Sequence, residues 1–239
     1  MKEIGVKKLI IYSLFAGVCI AFASFVYLYA SSVSDSGAWE KAVCSLLFGF
    51  GLYFIIVMEY KLFTGMVPTL VDIKPSQWWT LVVCYAFNTL GIFILCLLVF
   101  LTDNAVSRAI TERAVSVTQA KLSNGLFGSF ISAVFCGNMI TFAVKAHQNA
   151  RLKGLSGTLC ILFPVVLFVY LGFEHCIANQ AYIFLAVLGK ADMDITRLIL
   201  FAALTALGNI VGGVMFPIGE KIANFKRNKP VSENNETEE

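Results

Sequence analysis

The chain has 239 residues, 58% of them hydrophobic and 14% charged, with 21 Phe, two His and a formal net charge of +3; its mean hydropathy is +0.79. Globular domains carry roughly a quarter charged residues, so a soluble enzyme of ordinary composition is excluded, and with no basic stripe interleaved with aromatics nucleic acid is excluded as a partner. Several apolar runs reach about 20 residues, enough to cross a hydrocarbon core of roughly 30 Å as a helix, which makes this an all-α membrane protein.

In chain order the apolar segments fall at about 9–30, 42–70, 78–101, 122–144, 156–187 and 198–219. The first runs far past the length of a signal-peptide core and has no cleavage-like boundary, so it is expected to stay as a span. The breaks between segments are short, with no room for a soluble domain; the one at 102–121 is expected to be a loop, with Lys121 opening the fourth span. Residues 1–220 are expected to form one six-span transmembrane domain. Residues 221–239 turn basic, then acidic and Asn-rich, the composition of a disordered tail.

Six spans put both termini on one side. Eleven Lys and Arg fall on that side, against Lys41, Arg108, Arg113, Lys121, Lys190 and Arg197 on the other, while Lys61 lies inside the second segment. Positive residues favour the cytoplasmic face, so both termini are expected there. The seven cysteines stand singly in apolar runs without a CxxC pair and read as small span residues rather than disulfides or metal ligands.

The second and fifth segments are longer than one span needs, and each is interrupted. The second holds Glu59-Tyr60-Lys61-Leu62-Phe63-Thr64-Gly65 and then Pro68; the fifth holds Gly172-Phe173-Glu174-His175 and then Asn179. Charges at membrane depth face the protein interior or a water-filled path, and a helix broken there needs partners for its freed backbone groups. The halves also correspond: Leu14-Phe15 with Leu126-Phe127, Thr64 with the zone of His175, and Asn88-Thr89-Leu90-Gly91 with Asn209-Ile210-Val211-Gly212. A repeat of three spans is odd, so its copies are inverted, and matched broken helices point to a substrate path at their interface.

His175 reads either as a proton donor to a weak-acid anion or as a neutral ring held by backbone carbonyls of the break. Glu174 reads first as a partner for freed amides, second as a substrate group. Thr64 either donates its hydroxyl to an anion or to His175, or caps the half-helix that follows. Lys121 either concentrates anions in a vestibule or snorkels at a helix end. Asn88 and Asn209, each three residues before a Gly, read as packing devices that bond across helices. Leu52, Phe48 and Phe168 read as core or lipid face.

Leu62-Phe63-Thr64-Gly65, Gly172-Phe173-Glu174-His175-Cys176-Ile177-Ala178-Asn179, Asn88 with Gly91, Cys136-Gly137-Asn138 and Gly208-Asn209-Ile210-Val211-Gly212-Gly213 together resemble the formate/nitrite transporter family, which includes formate, nitrite and hydrosulfide channels. The likeness covers nearly the whole chain apart from the tail. It implies an aquaporin-like six-helix protomer with inverted three-helix repeats and broken second and fifth helices, assembled as a homopentamer with one pore per protomer. It also implies roles: His175 as the central histidine, Thr64 as the loop threonine, Lys121 as the vestibule lysine, Leu52 with Phe168 and Leu62 with Phe63 as hydrophobic constrictions, and Asn138 and Asn209 as amides near the pore. Glu59-Tyr60-Lys61 is more heavily charged than in formate channels, the loop after the third span is short, and the amino-terminal segment, which covers the inner mouth in some members, is short too.

The expected function is passage of a small monovalent weak-acid anion, formate or nitrite first, with a proton supplied by His175, through the plasma membrane of a prokaryote. Hydrosulfide or a small monocarboxylate such as lactate or acetate is the alternative cargo. A membrane-embedded enzyme using Glu174 and His175 is a further alternative, but no HExxH, GxSxG or clustered Cys/His accompanies that pair, so no catalytic residues, metal or cofactor are expected.

Overall fold

The computed structural model describes residues 5–34, 37–149, 151 and 154–227. Its helices are α1 (Val6–Ser32), α2 (Ala38–Val57), α3 (Phe63–Met66), α4 (Trp79–Leu101), α5 (Ala105–Ser123), α6 (Leu126–Gln148), α7 (Gly154–Leu171), α8 (Cys176–Leu188) and α9 (Ile195–Arg227), with two 3-10 turns at Val67–Val71 and Pro75–Gln77. Among the described residues six helices, α1, α2, α4, α6, α7 and α9, are long and apolar enough to cross a membrane. The tail expected to be disordered from 221 is helical at its start, since α9 continues as one helix past Lys221 to Arg227; its remainder, 228–239, lies outside the described residues. The face where α1 begins and α9 ends is called proximal below, and the opposite one distal.

Size is distributed in reverse of a soluble bundle. Phe15, Phe22, Phe54, Leu98, Phe127 and Phe163 are exposed, while Ala16, Ala21, Ala23, Ser24 and Ala133 are buried. Large apolar side chains facing outward suit lipid, and small ones facing inward let helix backbones approach closely. A Cβ at Gly17 would overlap the Asn88 carbonyl, and one at Gly137 the Asn209 carbonyl; likewise Gly91 lies on the Leu14 carbonyl and Gly212 on that of Val134. So α1 packs on α4 as α6 packs on α9, which makes α1–α4 and α6–α9 two copies of one unit.

The copies match in register, but not the register expected from sequence. Gly17 with Gly137 and Leu14 with Val134 are pairs 120 residues apart, so Leu14-Phe15 does not correspond to Leu126-Phe127. Leu126 begins α6, whereas Leu14 lies more than two turns inside α1. Two shared letters at a helix end had simulated a match.

The stretch 102–121 is not a loop. Asn104 accepts the Ser107 N–H at 2.9 Å while the Ser107 hydroxyl accepts the Asn104 N–H at 3.0 Å, a reciprocal capping box that starts α5. Its buried side chains, Ser107, Ile110, Thr111, Ala114, Thr118 and Leu122, recur at helical spacing. They pack α5 across α8 and α1 on the distal face. Lys121 is therefore in the last turn of α5, not at the start of the fourth span, and the connection after the third span is a 19-residue helix rather than a short loop.

Candidate functional site

Both breaks are made by the same backbone device. α2 ends with Glu59 in the left-handed region at φ 55°, its N–H donating to the Ile56 carbonyl and the Tyr60 N–H to that of Ile55, at 3.1 and 2.9 Å. α7 ends with Gly172 at φ 74°, its N–H on Val169 and the Phe173 N–H on Phe168, at 3.0 and 2.8 Å. These are Schellman stops, 113 residues apart. Three residues on, Leu62 and His175 hold the same extended N-cap position before α3 and α8. His175 thus has Leu62, not Thr64, as its counterpart in the repeat.

An asparagine from the third span of each copy satisfies each break. Asn88 Oδ1 accepts the Phe63 N–H at 2.8 Å, and its Nδ2 donates to the Ser13 and Lys61 carbonyls at 2.7 and 3.0 Å. Asn209 Oδ1 accepts the Cys176 N–H at 2.8 Å, and its Nδ2 donates to the Ala133 and Glu174 carbonyls at 2.8 Å each. Each amide ties the break to the first and third spans of its own half. The amides at Asn88 and Asn209 bond across helices as expected, and the freed break amides that sequence had assigned to Glu174 are theirs. Glu174 instead accepts from Lys121 Nζ at 2.5 Å and Asn179 Nδ2 at 2.9 Å, with side-chain exposures of 3% for Glu174 and 17% for Lys121.

Thr64 and His175 meet between the breaks, 1% and 2% exposed. His175 Nδ1 accepts the Ala178 N–H at 3.0 Å, capping α8. A neutral imidazole that accepts at Nδ1 carries its proton on Nε2, which donates to Thr64 Oγ1 at 3.2 Å. The ring stacks on Phe168, centroids 5.6 Å apart, and Phe168 meets Phe48 edge-on at 6.2 Å. Leu52, Leu62 and Phe63 are buried in the same core, with Phe63 edge-on to Tyr85 at 5.0 Å.

The structure thus gathers Thr64, His175, Glu174, Lys121, Asn88 and Asn209 with the four apolar residues, and adds Phe48, Asn179 and Ala178. Asn138 stands apart: its Nδ2 approaches Met215 Sδ at 4.0 Å, and its Oδ1 has no hydrogen-bond partner among the described residues. A hollow of about 790 Å³ lined by Leu46, Phe142, Leu159, Cys160 and Phe163, with Lys145, lies on another flank and touches none of the gathered residues. Asn179 carried a signal in the sequence, four residues after His175 on the same helix face; Phe48 carried none beyond its apolarity.

The Formate/nitrite transporter family profile matches residues 2–220. The chain is 27% identical to the formate channel FocA of Haemophilus influenzae over 84% of its own length and 80% of the relative's. It is 24% identical to the nitrite transporter NirC of Escherichia coli over 95% and 87%. Among solved structures it superposes with a TM-score of 0.78 on a pentameric formate channel with formate bound, at 24% identity over 92% of this chain and 97% of that one. A family ion channel matches at 0.79, with 22% identity over 90% and 89%. These two likenesses show the fold, the aquaporin-like six-span arrangement with two broken helices. With the profile spanning both breaks and both third-span amides, the chain belongs to the formate/nitrite transporter family.

Proposed function

We propose that this chain conducts a small monovalent weak-acid anion, formate or nitrite, past His175 and Thr64, where the anion takes up a proton. The observation that carries the reading is the buried His175–Thr64 pair, in the same apolar core as Phe168, Leu52, Leu62 and Phe63. A bare anion cannot enter such surroundings without losing hydration worth many kcal/mol, and burial raises its proton affinity. Lys121, held by Glu174, draws the anion toward the distal entrance.

Proton delivery runs through the imidazolium. The ring gains its second proton from water at Nδ1, releasing the Ala178 N–H, when an anion at Nε2 offsets the charge; the Nε2 proton then passes to the anion, and the ring resets by losing the Nδ1 proton to water as Nε2 takes up another. Thr64 suits both states, because a hydroxyl accepts from Nε2–H and donates to bare Nε2. Glu174 does not serve as an acid/base partner for the ring, since its carboxylate is engaged by Lys121 and Asn179; this favours transport over the enzyme reading. The assembly is a homopentamer with one pore per protomer, residues 1–220 form the channel domain, and the proximal face is cytoplasmic in a prokaryotic plasma membrane. Eleven of the eighteen Lys and Arg assigned to that side support the orientation.

The test is formate and nitrite flux into proteoliposomes from pH 5 to 8 at fixed anion concentration. Flux is expected to rise as pH falls, because each anion that passes takes up a proton at His175 and protons become more available, and to lose that dependence in His175→Asn. An unchanged pH profile in the variant sinks the role of His175 as donor.

A further inference from the structure

The two breaks share one hydrogen-bond pattern and carry opposite charge. Lys61 and Glu174 are 113 residues apart, each two residues past its Schellman stop, each with its carbonyl held by the third-span asparagine, at 3.0 and 2.8 Å, and each just before the N-cap of a re-entrant helix. Side chains leaving equivalent backbone positions project alike from inverted copies. Glu174 stands on the distal side of His175, so Lys61 stands on the proximal side of Leu62.

Their surroundings differ. Glu174 is neutralised by Lys121. Among the described residues Lys61 is in no ion pair, and it is half-buried. Glu59 sits exposed at the corner two residues earlier, where the chain leaves α2. The Lys61 N–H donates to the Tyr12 carbonyl at 3.2 Å, which fixes the break against the second turn of α1. There Tyr60 meets Tyr12 edge-on at 5.5 Å, and Lys8 Nζ lies over the Tyr12 ring at 4.8 Å, so a second cation stands on the ring that packs against the break.

We propose that Lys61, backed by Lys8, is an anion-binding station at the proximal mouth of the pore, taking a small monovalent carboxylate or oxyanion before or after its passage between Leu62 and Phe63. This rests on the channel reading above and deepens it: distally the anion meets a cation already balanced by a carboxylate, proximally one that is not. The proximal side is then the higher-affinity entrance. Charge-assisted hydrogen bonds to a carboxylate are roughly twice as strong as neutral ones, and a partly desolvated cation loses less of that to screening than an exposed one.

Formate flux in proteoliposomes, recorded against formate concentration in wild type, Lys61→Gln and Lys61→Arg, tests it. The Gln variant is expected to raise the half-saturating concentration about three- to tenfold with little change in maximal flux, and the Arg variant to restore it. An unshifted half-saturation in Lys61→Gln overturns the proposal, as does an Arg variant as impaired as Gln, which would mark a structural role. A second readout does not need flux: amine acylation of the wild-type protein in liposomes, resolved by residue in a mass spectrometer, with formate, nitrite or neither present. The anions are expected to slow acylation of Lys61 relative to exposed Lys7, and equal rates overturn the station. If wild type passes neither anion the channel reading falls, and the acylation result alone decides for or against Lys61.

Discussion

At the scale of single residues the heaviest duty falls on two amides. Each of Asn88 and Asn209 is buried and bonds three backbone groups from two other segments. Truncating either leaves the break N–H that it holds, that of Phe63 or Cys176, without its partner where water is scarce, at about 1–3 kcal/mol for a buried group left unsatisfied. Asn88→Ala and Asn209→Ala are each expected to lower the melting temperature in detergent by several degrees, and to similar extents because the bonds are equivalent. A large loss for one and none for the other would deny that equivalence. Both asparagines were legible in the sequence as bonds across helices, from their spacing to Gly91 and Gly212. Their partners were not, because the bonded backbone groups lie 25 to 76 residues away and only the folded breaks bring them within reach. Glu174 was misassigned for the same reason: its true partner, Lys121, is 53 residues off, on a helix the apolar pattern did not reveal.

At the scale of elements, the spans were legible because lipid demands long apolar helices, while α5 was not because it obeys a different rule. Its buried stripe mixes Ser, Thr and Ala with Ile110 and Leu122, and the helix also carries Arg108, Glu112, Arg113 and Lys121, so a search for apolar runs passes over it. Asn104 and Ser107 were the signal that could have found it. The breaks were visible as charges in an apolar run, yet their shared stop was hidden because only one of the two uses glycine. Glu59 holds φ 55° with a side chain, which costs about 1–2 kcal/mol; Gly172 holds φ 74° without that cost, and a Cβ there would meet no atom within 4 Å. Glu59→Gly is therefore expected to raise the melting temperature by about 2–4 °C per kcal/mol gained, and Gly172→Ala, a test of backbone strain alone, to lower it. Shifts of the same sign in the two variants would contradict a common left-handed stop.

At the scale of the whole molecule, charge among the described residues is confined to the two faces and the breaks, and Thr64 and His175 sit between the breaks among apolar side chains and the amides of Asn88 and Asn209. Such a profile decides whether net charge crosses. A bare anion moving through the full field gains or loses about 2.3 kcal/mol per 100 mV, which at roughly 1.36 kcal/mol per tenfold change alters its rate by more than tenfold. An anion that acquires a proton at the centre and releases it beyond moves no net charge through the apolar section, so the field has nothing to act on there. Formate uptake by proteoliposomes clamped at 0 and at 100 mV with potassium and valinomycin is therefore expected to be nearly the same at pH 6. Uptake that instead tracked the imposed potential would mean that the ion passes unprotonated, and the apolar side chains around His175 would have to part to admit water with it.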